Sequence, residues 1–224
     1  MDLTDGLREY QNDSSYWRLT VELEVFAKEI VASLSRHGDN PPKRSLSRSK
    51  DFLLKVEQWK AMCIEDQTGM ASKNAEVLIW EAFQGALRAG NDVEAVRSIM
   101  SLVGFGSQPD KETGLGRAKR ATAVLRFMKP TEWGVVDWRT AATLGLFKKH
   151  NGDINSLLIQ AETMNPKDLR KCYDIIDEHC ACQINKEYRV MRTEELPRAA
   201  DVDMALFGIS LKAWPRRKSS NRFS

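Results

Sequence analysis

The chain has 224 residues, of which 42% are hydrophobic, and a formal net charge of +3 at pH 7. This length is enough for one large domain or for two small lobes around a shared cleft. No run of about 18 uninterrupted apolar residues occurs, so we expect no membrane span. The acidic start, residues 1–5, lacks the basic and then apolar layout of a secretory signal. We therefore expect an intracellular protein, either cytoplasmic or nucleoid-associated in a bacterium.

Apolar residues recur at helical spacing along almost the whole chain. This periodicity predicts helices over residues 16–34, 51–63, 74–87, 92–103, 117–128, 138–149, 153–161, 166–187 and 197–211. Only residues 133–136 have an extended pattern, and no internal repeat occurs. The pattern predicts an all-α, multi-helix globule with two lobes, in which residues 1–224 form a single domain.

Two segments concentrate positive charge, although the net charge is too small to indicate a nucleic-acid binder by itself. Residues 41–50 carry four basic side chains and no acidic one, and the tail 215–224 has the same character. Proline, serine and like charges resist packing, so we expect both segments to be flexible. Each segment could contact DNA phosphates, or could be a solvated loop or chain end.

The four cysteines do not indicate a metal site or a disulfide framework. Cys180 and Cys182 are separated by one residue, whereas a zinc knuckle needs two to four. The three histidines are scattered along the chain. We therefore expect no zinc, no iron–sulfur cluster and no other cofactor.

A Gly-x-Gly turn precedes the predicted helix 117–128. Gly114 and Gly116 permit a tight turn, and Arg117, Lys119 and Arg120 lie at the start of the helix. Backbone N–H groups at such a helix start can bind a DNA phosphate without reading the base sequence. The alternative is a turn without a ligand, which is what a Gly-x-Gly before a helix often is.

The next helix begins directly after a short extended segment. A proline-containing connection, residues 129–134, leads to Val135, Val136 and then Asp137. Aspartate is a favoured N-cap residue, so one interpretation of Asp137 is helix capping alone. The order of turn, helix, proline connection and Val-Val-Asp is more specific than any one of these pieces.

Residues 100–147 resemble the helix-hairpin-helix superfamily of DNA glycosylases, which includes endonuclease III and the 8-oxoguanine glycosylases. In that family the hairpin and its second helix carry a catalytic lysine, and a Val-Asp pair at the next helix start carries the catalytic acid. Lys119 lies eighteen residues before Asp137, the separation found in endonuclease III. The resemblance implies that Lys119 is the Schiff-base lysine and Asp137 the catalytic aspartate.

The resemblance also implies a partner, which is double-stranded DNA with a damaged or modified base, and it suggests a base like 8-oxoguanine. It implies that Gly114, Gly116, Arg117, Arg120 and Arg139 contact DNA and that Trp133 and Trp138 line the base pocket. A carboxylate near C1′ would stabilise the sugar cation as the base departs. A lysine at the same carbon would add lyase activity through a Schiff base.

Alternatives remain for several of these residues. Lys119 could be a solvated helix lysine near phosphate, and Trp133 and Trp138 could be ordinary packing residues. The segment 102–106 is a second candidate hairpin turn, which would make residues 107–113 an insertion. A non-catalytic DNA-binding module and a protein-interaction adaptor are the competing functions.

Overall fold

The computed structural model describes residues 2–61, 69–106, 118–173 and 176–215. Within these ranges the chain forms eleven α-helices and one 3₁₀ turn, and it contains no β-strand. The helices are α1 (Leu3–Asn12), α2 (Ser14–His37), α3 (Lys43–Ala61), α4 (Glu76–Arg88), α5 (Asp92–Met100), α6 (Ala118–Met128), α7 (Trp138–Lys149), α8 (Ile154–Thr163), α9 (Pro166–Tyr173), α10 (Glu178–Val190) and α11 (Ala199–Ala213), with the 3₁₀ turn at Ala71–Lys73. The predicted all-α globule is confirmed.

Side-chain caps determine where many of these helices begin. The first N–H groups of a helix have no partner within it, and an Asp or Asn side chain can accept from them. Such caps are made by Asp2, Asp13, Asn91, Asp137, Asp153 and Asp177, each of which accepts from a backbone N–H in the first turn. These polar residues therefore divide a largely helical chain into separate helices.

Helices α6 and α11 lie at the centre of the packing. Every residue from 199 to 210 of α11 is buried, and in α6 every residue except Lys119 is buried. A helix that is buried on all sides lies inside a protein rather than on its surface. Helix α6 packs on α2, α3, α5 and α10, whereas α11 packs on α1, α7, α8 and α10. The connection between α6 and α7 runs beside both central helices.

Helices α1 and α11 touch through their backbones at two glycines. A Cβ added to Gly6 would lie 2.3 Å from the carbonyl oxygen of Ala205. A Cβ added to Gly208 would lie 1.9 Å from the carbonyl oxygen of Gly6. Both distances are far inside van der Waals contact, so only glycine permits this crossing.

The prediction that residues 41–50 are flexible is wrong, because most of the segment forms the first turns of α3. Two of its serines, Ser45 and Ser49, are buried where α3 packs along α2. Arg48 forms an ion pair with Glu29 of α2. Small side chains at a helix contact allow a close approach, and this tertiary packing outweighs the local composition that suggested disorder.

Two further predicted boundaries also differ from the structure. The predicted helix 166–187 is divided into α9 and α10, and the Asp177 side chain accepts from the Cys180 amide to begin the second one. Residues 133–137, which include the predicted extended segment, form an irregular connection rather than a strand. The basic tail lies almost entirely outside the described residues, which end at residue 215.

Candidate functional site

Asp137 is the N-cap of α7 and closes a reciprocal capping box. Its Oδ1 accepts from the amides of Arg139, at 2.9 Å, and Thr140, at 3.1 Å. In return the Asp137 amide donates to Thr140 Oγ1 at 3.1 Å. This geometry fixes one carboxylate oxygen against the helix start and leaves Oδ2 for another partner.

The segment before Asp137, residues 133–136, contacts three helices. The Gly134 amide donates to the Asn185 side chain of α10 at 3.0 Å, and the Tyr188 hydroxyl of α10 donates to the Val135 carbonyl at 3.1 Å. The Val136 amide donates to Thr122 Oγ1 of α6 at 3.0 Å. A Cβ on Gly134 would lie 2.6 Å from Asp203 Cβ of α11. The chain can therefore pass this close to α11 only with glycine at position 134.

The second carboxylate oxygen of Asp137 contacts a lysine that the sequence analysis did not single out. Lys60 Nζ of α3 lies 3.1 Å from Asp137 Oδ2. The side chains of Lys60 and Asp137 are only 7% and 10% exposed. The pair therefore links two residues that are 77 positions apart in the chain, at a place that is almost closed to solvent.

A signal for Lys60 was present in the sequence. In the predicted helix 51–63, the apolar residues Phe52, Leu53, Val56 and Trp59 recur at helical spacing, and Lys60 follows one helical turn after Val56. A lysine at a position that helical periodicity assigns to the core needs a counter-charge there. The periodicity indicated the burial, but only the fold identifies Asp137 as the partner.

The pKa of Asp137 is lowered despite its burial. Loss of water acts to raise the pKa, but the Lys60 charge, the Thr140 amide and the more distant Arg139 charge outweigh this effect. Asp137 is therefore an ionised carboxylate in a site that is almost closed to solvent.

A second buried carboxyl, that of Asp203 on α11, lies next to this pair. Burial raises the pKa of Asp203 to about 7, and the negative charge of Asp137 acts in the same direction. The Val135 amide and the charges of Arg126 and Lys60 oppose this rise without cancelling it. Near neutral pH the two carboxyl groups therefore differ in protonation.

Arg126 brings further positive charge to the same region. It is fully buried on α6, and its Nη2 lies 2.7 Å from Glu24 Oε1 of α2. Glu24 also pairs with Arg198 at 3.0 Å, and Arg198 in turn pairs with Asp201. This network joins α2, α6 and the start of α11 behind the candidate site.

Lys119, the predicted nucleophile, lies in the first turn of α6 and is partly buried. Its carbonyl accepts from Thr122 Oγ1 at 3.0 Å, and the same hydroxyl accepts from the Val136 amide. Residues three apart on a helix share a face, so Lys119 lies on the side of α6 that faces the α6–α7 connection. Its role as the Schiff-base lysine stays a prediction.

The turn 102–106, the second candidate hairpin, has the glycine geometry that such a turn requires. Gly104 has φ +85° and Gly106 has φ +132°, a region in which side chains are strained. Arg120 of α6 is buried and donates from Nη1 to the Gly104 carbonyl at 2.7 Å. Arg120 therefore ties this turn to α6. The other candidate turn, with Gly114, Gly116 and Arg117, lies outside the described residues.

The remaining predicted site residues lie near the start of α7. Arg139 donates to the Trp214 carbonyl at 2.6 Å and stacks on Trp138, with its Cζ 4.9 Å from the ring centroid. Trp138 is partly exposed, whereas Trp133 is fully buried. The predicted DNA contacts of Arg139 and Arg120 and the predicted base-pocket roles of the tryptophans stay predictions.

In the described part of the chain, no helix is long and apolar enough to cross a membrane. No three His, Cys, Asp or Glu side chains of those residues are grouped as a metal ion would require. Comparisons with protein families, with curated proteins and with solved structures find no match to this chain.

Proposed function

We propose that this protein is an intracellular DNA glycosylase that removes a damaged or modified base from double-stranded DNA. The observation that carries this proposal is Asp137, an ionised carboxylate that is almost closed to water and is paired with a lysine at a helix start. The sequence resemblance assigns the catalytic acid of the family to the same residue.

The chemistry of base release needs such a group. The target nucleotide must leave the base stack, and positive charge develops on its sugar as the C1′–N bond breaks. A fixed carboxylate stabilises that charge most strongly where water is excluded, because a low dielectric increases the interaction. Asp137 is held by Thr140 and Lys60, so little reorganisation is needed when the charge appears.

Lyase activity would also need an amine close to the sugar. Two lysines are candidates for this role: Lys119, which the family resemblance selects, and Lys60, which contacts Asp137. An 8-oxoguanine-type base is the substrate that the resemblance suggests.

A panel of duplexes with single oxidised, deaminated or alkylated bases tests the proposal. We expect the wild type to release at least one base and Asp137→Asn to lower the rate about 10²- to 10³-fold or more, because the amide has no charge to stabilise the cation. DNA binding should survive in the variant. The matched control is Asp153→Asn, which changes an N-cap aspartate of α8. The proposal fails if no duplex loses a base, or if Asp137→Asn releases it at the wild-type rate.

A second candidate function is DNA binding without chemistry. The observation in its favour is that both oxygens of Asp137 already have structural partners, with Oδ1 in the capping box and Oδ2 on Lys60. In that case Asp137→Asn would lower the stability of the fold and leave no catalytic effect to measure. The panel experiment separates the two functions directly.

A further inference from the structure

We propose that Lys60, rather than Lys119, is the amine that forms a Schiff base with the sugar in this protein. The inference rests on the proposed function, and it names a residue that the family resemblance does not select. The geometry points to Lys60 because its Nζ lies 3.1 Å from Asp137 Oδ2.

The position of Lys60 fits the demands of the chemistry. A group that stabilises the sugar cation and an amine that attacks C1′ must both lie within a few ångströms of one carbon atom. Lys60 Nζ and Asp137 Oδ2 are 3.1 Å apart, so both atoms can lie close to the same carbon atom. Both side chains are also shielded from bulk water. Lys119 is partly buried in the first turn of α6.

The hydrogen bond between Lys60 and Asp137 also provides a route for the proton. The Lys60 ammonium transfers one proton to Asp137 Oδ2, and the neutral amine adds to the C1′ aldehyde of an abasic sugar. An N–C bond forms, and a proton moves from nitrogen to oxygen to give a carbinolamine. Asp137 returns its proton to the hydroxyl group, the C–O bond breaks and water leaves. The products are an iminium ion on Lys60, ionised Asp137 and one water molecule, so charge and atoms balance.

A duplex with one abasic site tests the inference without requiring the excised base to be known. Sodium borohydride adds hydride to the iminium carbon and converts the adduct into a stable amine. We expect the wild type to be trapped on this duplex. Tryptic digestion and mass spectrometry should place the adduct in a peptide that begins at Val56, because a modified Lys60 is no longer cleaved.

Lys60→Arg is the decisive variant because it keeps the positive charge beside Asp137 but removes the amine. We expect the trapped product to fall about tenfold or more in Lys60→Arg. The matched control is Lys55→Arg on the exposed side of the same helix, which should be trapped like the wild type. Peptide mapping of the wild-type adduct gives a second answer that does not depend on whether a variant folds.

The outcomes separate this inference from the proposed function. An adduct mapped to Lys119, or trapping that is lost in Lys119→Arg and kept in Lys60→Arg, overturns the inference and leaves base excision intact. A wild type that is not trapped at all on the abasic duplex also overturns it. A protein that is trapped through Lys60 but releases no base from any duplex supports the inference and overturns the glycosylase proposal.

Discussion

Asp137 lies at the end of the α6–α7 connection and Asp203 packs against this connection from α11, and the pKa values of the two carboxyl groups are shifted in opposite directions. At the start of α7, Asp137 has two amide donors and the Lys60 charge, so its pKa is lowered. Inside α11, Asp203 has one amide donor and more distant charges, and burial raises its pKa to about 7. Burial is nearly equal for the two residues, and therefore the difference comes from their partners.

The two residues show how one buried region can hold one carboxyl group that is ionised at neutral pH and another that is only partly ionised. Two groups whose surroundings drive their pKa values apart can serve different roles in a reaction. Here the direct partner of Asp137 is Lys60, whereas Asp203 packs under Gly134 and receives the Val135 amide. Removing each partner in turn should show what maintains the difference.

The largest effect is expected from Lys60→Met. This change leaves Asp137 buried without its counter-charge, which should lower the free energy of unfolding by about 3–5 kcal/mol. Urea denaturation near pH 7 measures it. The pKa of Asp137 should rise in the variant, because burial remains and the strongest opposing charge is gone.

The matched control for this prediction is Lys55→Met, at an exposed position of the same helix, which should change stability by less than about 0.5 kcal/mol. Adding Asp137→Asn to Lys60→Met should restore part of the loss, since no uncompensated charge is then buried. If Lys60→Met is as stable as Lys55→Met, the buried ion pair does not exist in solution.

A smaller effect is expected from Gly134→Ala, which tests the contact between the α6–α7 connection and Asp203 of α11. Its Cβ would lie 2.6 Å from Asp203 Cβ, 2.7 Å from Tyr188 Cδ2 and 2.9 Å from the Ala199 carbonyl oxygen. The backbone must shift to accept the methyl group, so we expect a loss of about 1–3 kcal/mol in thermal or urea unfolding. Gly90→Ala is the control, because its nearest neighbour would lie 3.6 Å away. Equal stability of the two variants would contradict the tight packing of Gly134 against α11.

The sequence predicted the helical fold and the position of Asp137, but it predicted neither Lys60 as the partner of Asp137 nor the burial of Asp203. Helical periodicity gave the helical fold, and the Val-Val-Asp pattern marked Asp137 and its capping role before the structure was known. Lys60 was missed because its partner is 77 residues away, and no local pattern encodes that distance. Asp203 was not singled out as a site residue, since its burial depends on Gly134 and other residues that are distant in the sequence. The flexibility predicted for the basic segment 41–50 was wrong for the same reason, because Ser45 and Ser49 are buried where α3 packs on α2.

Asp203→Asn should change the pH dependence of stability. In the unfolded chain Asp203 ionises near its ordinary pKa of 3.8, whereas in the folded protein its pKa is raised to about 7. Between these values the folded state binds the extra proton, so the wild type loses stability as the pH rises from about 4 to about 7. Asparagine removes this loss and can still accept from the Val135 amide.

We therefore expect Asp203→Asn to match the wild type near pH 4 and to exceed it by about 1–3 kcal/mol near pH 8. Urea unfolding at several pH values measures the difference. Asp137→Asn should show the opposite pH dependence of stability. The pKa of Asp137 is lowered in the folded protein, so the wild-type carboxylate stabilises the fold above about pH 4. This contribution is lost as the pH falls further. A pH-independent difference between wild type and Asp203→Asn would contradict the raised pKa.

The smallest effect is expected from Thr140→Val, which weakens the support of Asp137 and of the neighbouring Val135 carbonyl. The Thr140 hydroxyl accepts from the Asp137 amide at 3.1 Å, and valine keeps the shape of the buried side chain but leaves that amide without this partner. We expect a loss of about 1–2 kcal/mol, the usual effect of removing one partner of a buried hydrogen bond or cap. Thr143→Val is the matched control one turn later, because the Thr143 hydroxyl only adds a second donor to a helical carbonyl, that of Arg139. A larger loss in Thr140→Val than in Thr143→Val, together with an unchanged pH dependence from Asp203, would show that the two carboxyl groups are supported independently. An equal loss in both variants would mean that the Lys60 ion pair and the Oδ1 contacts hold Asp137 without the reciprocal half of the cap.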